Sequence, residues 1–409
     1  MGPAAVHSAL TGGERAMPAV RIPWASWYGE GGAHTHLDLD CPAGWSVTVH
    51  HMRGGPDIGE AGMRAALGAP VGSPTLRSLA RGRRSAAILV DDLSRPTPVA
   101  RLLPLVLEEL AAAGIGEDAV TIIAALAAHR AMTRQDLVKK VGAEAVRRLR
   151  VCNHDAYENL DFLGTSSRGV PVFVNRDLMA CEVRIALGMI TPRGGFFGGG
   201  AKLLCPGACG HATIMANHRY VRDGFREHLD EVAAMAGLQF IVNPLLSEEL
   251  EVIGLVAGAP APAFLAGVDR ARELYRTPVP EAPVDVCVCG AFPKDTELLQ
   301  APLALVPLHG HREVLAPGAT VVIASASPEG LGWHSVLGPG TALAGRPSSA
   351  PGTIVFSPGV NRHDVAAKFG DGALHCPTWA DVVAEVGRRH GAAPRVAVFP
   401  AGALQYTGR

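Results

Sequence analysis

The sequence is short of the features that would mark a large charged partner. Its 37 lysines and arginines are offset by 38 aspartates and glutamates, leaving a formal net charge of −1. That gives no electrostatic case for nucleic acid or a membrane surface. The arginines at Arg81, Arg83 and Arg84, and at Arg147, Arg148 and Arg150, read as solvated faces. No run approaches the roughly 18 uncharged apolar residues of a membrane span, and Met1 to Met17 lacks the apolar core of a secretory leader. The expected compartment is the cytoplasm. The 8 cysteines have no disulfide-scaffold rhythm, which fits reduced thiols there. Cys287 and Cys289 alternate along an apolar strand and read as small core residues. Cys205, Cys209 and His211 form a C-x3-C-x-H group, but a zinc site needs a fourth ligand or an open catalytic water and none is evident nearby, so metal binding is the minority reading. Two further patterns are missing: a repeat of about 20–50 residues, and a strand followed by G-x-G-x-x-G with a ribose-binding acid. The second absence argues against a nicotinamide-dependent oxidoreductase.

What is present is a chain of 409 residues, 48% hydrophobic, punctuated by 48 glycines and 31 prolines. That is enough for two domains with real cores. From Ala86 strands and helices alternate: strand 86–90, helix 99–113, strand 120–126, helix 133–148, strand 183–190, helix 214–235 and strand 239–243. A second set follows: strand 284–289, helix 295–306, strands 319–324 and 352–356, helix 361–369 and strand 395–399. Such alternation predicts an α/β protein with parallel or mixed sheets flanked by helices. The expected divisions are a disordered terminus over 1–20, an N-terminal domain over 21–260, a helical connector over 261–280 and a C-terminal α/β domain over 281–409. The active site is expected in the cleft between the domains. Ser325 to Pro351, rich in Gly, Pro and Ser, is expected to close over that cleft.

Three segments carry chemistry. Asp91-Asp92-Leu93-Ser94-Arg95-Pro96 follows an apolar strand, so acids, a hydroxyl and an arginine gather at a strand's carboxyl end, where open α/β sheets bind ligands. Thr121 to Leu126 is a second buried strand, and it delivers His129 and Arg130 just before a helix. Gly198-Gly199-Gly200-Ala201-Lys202 strips the side chains ahead of one lysine, so the backbone can approach a bulky group closely. That lysine is placed to hold a phosphate or a covalent cofactor. His218 follows sixteen residues later in an Asn-His pair.

Taken together these segments resemble the nickel-pincer lactate racemase family. Asp92 and Arg95 match its D-x-[ST]-R-P loop, and His129-Arg130 its strand-end pair. Gly199-Gly200-Ala201-Lys202 matches its Gly-Gly-x-Lys loop, followed here by Pro206-Gly207 and by Thr213-Ile214 with Asn217-His218. A later element, Gly290-Ala291-Phe292-Pro293-Lys294-Asp295 running to Gln300, matches with one extra residue. The resemblance implies a pyridinium-3,5-bisthiocarboxylic acid mononucleotide on Lys202, with nickel held by His218. It places Asp92, Arg95, Gly199 and Gly200 at the nucleotide, and Arg130 and Gln300 at the substrate. His129 would be an acid–base histidine, a role suited to an unperturbed pKa of about 6.5. The implied activity is racemisation or epimerisation of a small-molecule 2-hydroxy acid, by proton removal from the hydroxyl and reversible hydride transfer. Cofactor-maturation enzymes would be partners, and the oligomeric state is left open.

The chain departs from the family in two places. The family's second acid–base histidine, in a Pro-His pair, corresponds here to Pro192-Arg193, and arginine is a poor base. The family's lysine three residues after the glutamine is Leu303 here. Arg193 is therefore read as a carboxylate clamp, with His309, His311 or His334 filling the base role and a substrate other than lactate. The alternatives are a hydride-shuttling isomerase or oxidoreductase using the same cofactor on another hydroxy compound, or a cofactor-free binding relative.

Overall fold

The computed structural model describes residues 19–221, 223–343 and 352–408. The expected disorder over 1–20 falls almost wholly outside them, as does the distal part of the loop over 325–351. The α/β architecture is as expected. Two six-stranded sheets form the frame, each wound outward in both directions from a central strand.

In the first sheet the central strand is Ala86–Asp91, buried along its whole length at the centre of a largely parallel sheet. Val120–Ala125 and then Arg150–Asn153 lie parallel on one side of it. Val183–Leu187 and then Phe240–Leu246 lie parallel on the other, and Val252–Gly258 closes that edge antiparallel. Strand order thus reverses at Ala86–Asp91, and the loops leaving the carboxyl ends of three adjacent strands open into one crevice. Those loops carry Asp92, His129 and Gly188 onward.

The second sheet repeats the plan around Val284–Gly290, with Leu315–Ala324, Thr353–Phe356 and Leu374–Cys376 to one side and Arg395–Phe399 to the other. Its outer strand beyond Arg395–Phe399 is Ser46–Val49, paired parallel. Ile22 and Leu39, from the hairpin Val20–Trp24/Thr35–Leu39, pack into the same core. The grouping of 21–260 as one unit is corrected here: residues 20–49 belong with the second sheet. The connector reading of 261–280 is also corrected. Helix Pro260–Leu274 buries Ala263, Phe264 and Val268 in the core of the first sheet.

Other differences have local causes. The helix expected over 133–148 is two, Arg134–Val141 and Ala143–Arg148, because Gly142 between them sits at φ +90°. The helix expected over 214–235 is likewise two, His211–Tyr220 and Phe225–Met235. The helix expected over 295–306 is a tight 3₁₀ run, Leu298–Leu308, containing Pro302 and Pro307, which remove the amide donors an α-helix would use. The strand expected over 183–190 ends at Leu187. The chain then forms a short hairpin, Thr191–Pro192 against Phe197–Gly198, whose tip carries Arg193. Among the described residues no helix is long and apolar enough to cross a membrane.

Candidate active site

Two acids at the end of one buried strand organise the crevice. Asp91 accepts from the Thr97 hydroxyl at 2.5 Å and pairs with the buried amine of Lys140. Lys140 also donates to the carbonyls of Arg95 at 2.6 Å and Asp92 at 3.1 Å. Lys294, buried and arriving from the second sheet's central strand, donates to the Ser94 carbonyl at 2.6 Å. The Trp27 indole donates to the Leu93 carbonyl at 2.9 Å. Three separate elements thus fix the 91–95 loop, and one of them ties the two sheets together at their central strands.

Asp92 Oδ1 accepts from the Ser94 hydroxyl at 2.6 Å, the Ser94 amide at 3.1 Å and Arg95 at 3.3 Å. Its Oδ2 faces His129 Nδ1 at 3.5 Å. Burial alone would raise this carboxyl, but His129, Arg95 and the Ser94 bond hold it far below the usual carboxylate range. Both oxygens thus face protein groups. Asp92 is the charged partner behind His129.

His129 sits at the tip of the loop after Val120–Ala125, its Nδ1 also 3.6 Å from Glu297 Oε1. Burial, helped by the cations Arg95, Lys294 and Lys202, brings its pKa down to about 4 against the pull of Asp92. It is neutral at pH 7, and acceptors beside Nδ1 favour the Nδ1–H tautomer, leaving the Nε2 lone pair free. Burial and the negative Asp92 raise Glu297 to about 7.

His334 packs edge-on against His129, ring centroids 5.0 Å apart. Its segment is held by the Ser335 amide, which donates to the Ala128 carbonyl at 2.8 Å. His334 Nδ1 accepts the backbone amides of Leu337 at 2.9 Å and Val336 at 3.3 Å. An amide can only donate, so Nδ1 has no proton and Nε2 must carry it. Burial and the neighbouring His129 push this group down to about 3. Of the three histidines proposed for the vacant base role, only His334 shares this cavity. His309 lies beside Gly194 in an adjoining cavity of about 480 Å³, and His311 Nε2 is 2.9 Å from the Thr407 carbonyl oxygen.

The glycine loop lies opposite. A Cβ on Gly200, at φ +57°, would sit 2.9 Å from the Phe264 ring, and one on Gly199, at φ +120°, 3.0 Å from the Met189 carbonyl. Only glycine lets the backbone pass that closely. Asn243 clamps the loop, accepting from the Gly200 amide at 3.1 Å and donating to the Gly188 carbonyl. The amine of Lys202 is thereby delivered into an enclosed cationic setting. Burial first, then Arg95 and Arg193, lower its pKa to about 7. His218, on helix His211–Tyr220, donates from Nδ1 to the Ile214 carbonyl at 2.8 Å and so leaves Nε2 free as a ligand atom.

Lys202, His218, His129, His334, Arg193 and Gln300 line one cavity of about 350 Å³, together with Arg95. The Arg193 Nε is buried without a hydrogen-bond partner among the described residues, and Arg193 also lines the adjoining cavity. Arg130 does not join them, contrary to the substrate role expected for it. Its guanidinium is committed to Glu329 at 2.6 Å and Asp136 at 2.8 Å. Lys368, which sequence reasoning missed, enters the cavity beside Gln300 and Leu303. It comes from helix Arg362–Phe369 of the second sheet, too far along the chain for any spacing to announce it. Cys205 and Cys209 are buried, His211 stacks on Tyr157 at 4.9 Å, and among the described residues the three do not come together as a metal-holding group.

Residues 33–229 match the family described as lactate racemase N-terminal domain. The chain is 26% identical over 280 residues to the lactate racemase of Lactiplantibacillus plantarum, covering 64% of this chain and 65% of that protein. It is 27% identical over 286 residues to the lactate racemase of Thermoanaerobacterium thermosaccharolyticum, covering 66% of each. The alignments therefore span about two thirds of those relatives. The fold is similar to the lactate racemase apoprotein of T. thermosaccharolyticum, with TM-score 0.72 and 20% identity over 95% of this chain and 99% of that one. It also resembles a Thermotoga maritima protein, with TM-score 0.60 and 17% identity over 81% of this chain and 96% of that one.

Lys202 yields a direct prediction. In chain made without cofactor, acylation of this amine should follow a midpoint near pH 7, whereas an ordinary lysine titrates near 10.5. Mass spectrometry of tryptic peptides across pH, with Lys202→Arg as control, reads it. A midpoint near 10 would show that the amine is solvated. The sign for stability follows: the folded chain releases this proton before the unfolded chain does, so the group makes stability rise with pH between about 7 and 10.5.

Proposed function

We propose, from the match of residues 33–229 to the lactate racemase N-terminal domain family, that the chain is a racemase or epimerase of a 2-hydroxy acid. We propose further that it works with the nickel-pincer nucleotide on Lys202, on a substrate other than lactate. The observation that supports this best is one enclosed cavity carrying a neutral-leaning lysine amine, a histidine with a free Nε2 and a carboxylate-backed histidine.

The residues present fit the cofactor. Lys202 would attach it, because an amine with a pKa of about 7 is substantially unprotonated and nucleophilic at neutral pH. His218 Nε2 would ligate nickel, its Nδ1–H bond to Ile214 fixing the required tautomer. Gly199 and Gly200 would leave room beside the ring, and Arg95 would meet the phosphate. When bound, the group supplies a reversible hydride acceptor.

The chain's own residues handle the rest. Lys368, Gln300 and Arg193 bind the carboxylate, Lys368 standing in for the lysine that Leu303 replaces. The unpartnered Arg193 Nε suits an anion approaching from the side of the adjoining cavity, which leaves room for a substituent longer than a methyl. His129 Nε2 takes the hydroxyl proton, and the imidazolium that forms is met by Asp92 across 3.5 Å. His334 Nε2–H donates to the same oxygen. Because its Nδ1 accepts two amides, it stays neutral and does not exchange protons. One base thus removes and returns the proton.

Two outcomes test this. Co-expression with the cofactor-making enzymes should give an intact-mass adduct and about one nickel per chain that survives dialysis against a chelator. Lys202→Ala should lose both, and His218→Ala should keep the adduct while losing nickel to a chelator. An adduct that persists in Lys202→Ala would contradict the attachment.

The second outcome concerns the histidine pair, assayed as stereochemical inversion of lactate, malate, 2-hydroxyglutarate and sugar acids. His129→Gln should cost ~10²–10⁴-fold in kcat, the usual share of general acid–base catalysis. His334→Gln, whose amide still donates, should stay within about tenfold, one neutral hydrogen bond being worth about 1 kcal/mol. Equal losses would mean that both histidines carry protons.

A further inference from the structure

A second set of ligating side chains lies outside the lining of the Lys202 cavity. His34 immediately precedes and His36 lies within the strand Thr35–Leu39. Two residues apart along an extended chain, they present their rings to one face. Both rings meet one carboxylate: His34 Nε2 is 2.9 Å from Glu249 Oε2, and His36 Nε2 is 3.0 Å from the same atom and 3.2 Å from Oε1. One ligand atom from each of the three lies within 4.8 Å of every other.

We propose that His34, His36 and Glu249 form a binding site for a divalent transition cation of the zinc class, and that this ion clasps the N-terminal hairpin to the edge of the first sheet. The donor set is the imidazole-and-carboxylate type that zinc takes, with bonds of about 2.0–2.2 Å. A tetrahedral centre with such bonds spaces its ligand atoms about 3.3–3.5 Å apart. The nitrogen–oxygen pairs at 2.9 and 3.0 Å need to open by only a few tenths of an ångström. Three protein ligands leave a fourth position for water, and the site has an open side, with the Glu249 side chain 54% exposed against 13% for His34.

The ligands are held by structure on both sides. His34 is packed at 5.2 Å against Phe292 and at 5.1 Å against His36. Glu249 stands on the turn joining Phe240–Leu246 to Val252–Gly258, closed by the Ser247 amide donating to the Glu251 carbonyl at 2.9 Å and by the Glu249 amide on the Ser247 hydroxyl at 3.2 Å. The next acid along, Glu248, accepts the Met52 amide at 2.9 Å and lies 2.7 Å from His51, so the turn is already seated against the N-terminal segment. The hairpin packs in the second sheet's core and the turn belongs to the first sheet. Phe292 is two residues from Lys294, which bonds the 91–95 loop. The clasp therefore sits at one end of the joint that holds the catalytic cavity together. Without the ion these are exposed histidine–carboxylate pairs that contribute little to holding the joint.

The test uses the full chain expressed without cofactor and stripped with chelator, titrated with Zn²⁺ by calorimetry and with Co²⁺ by visible absorption. One equivalent is expected to bind in the micromolar range or tighter, in wild type and equally in His218→Ala. His36→Ala and Glu249→Gln, both at exposed positions, should each weaken it at least about tenfold, since loss of even an outer hydrogen-bond partner costs a metal site that much. Zinc should raise the Tm of wild type and of His218→Ala but not of the other two. Binding unchanged by His36→Ala and Glu249→Gln, or no saturable binding below millimolar zinc, would overturn the proposal. Both readouts are independent of activity and of the cofactor on Lys202.

Discussion

A buried surplus of positive charge is the constraint from which the rest of the cavity follows. Asp91 and Asp92 end the central strand of the first sheet without access to water, and a buried carboxylate persists only if it is paired. Lys140 answers Asp91. Arg95 answers Asp92, with the neutral His129 facing its other oxygen, and Lys294 bonds the loop between them from the other sheet. Those cations outnumber the two acids, and Lys202 and Arg193 arrive in the same space with no carboxylate of their own. Burial first, and then Arg95 and Arg193, lower the affinity of Lys202 for a proton, down to about 7. The low proton affinity of the amine is thus a consequence of its burial beside guanidinium groups.

The two histidines differ for an equally local reason. His129 presents Nδ1 to carboxylates, whereas His334 presents Nδ1 to backbone amides. Acceptors behind a ring leave a base at Nε2, and donors behind it leave a hydrogen-bond donor there. The proposed chemistry is therefore asymmetric, with one proton carrier and one fixed donor on the reacting oxygen. Arg193 stands where a second proton carrier would otherwise be expected.

The first sheet was largely legible in the sequence. Continuous apolar runs such as Ala86-Ala87-Ile88-Leu89-Val90 announce buried parallel strands, and the residues just after them define the crevice. Lys202, His218 and His129 were legible because each follows local punctuation: three glycines, a helix, a strand tip. What was not legible depends on long-range pairing. The strand Ser46–Val49 joins the second sheet through a partner almost 350 positions later. Lys368 reaches the cavity from a helix with no motif, and the commitment of Arg130 to Glu329 spans 199 positions. The facing of Asp92 and His129 was not legible for the same reason, since the two are neighbours only across two strands.

The proposed chemistry moves the α-hydrogen as a hydride that stays within the site, while only the hydroxyl proton passes through His129. Inversion of an α-deuterated 2-hydroxy acid in ordinary water separates this from racemisation by carbon deprotonation. The cofactor-loaded enzyme should return the opposite enantiomer with the deuterium still on the α-carbon. Loss of that deuterium to solvent at the rate of inversion would contradict hydride transfer and the role given to the cavity.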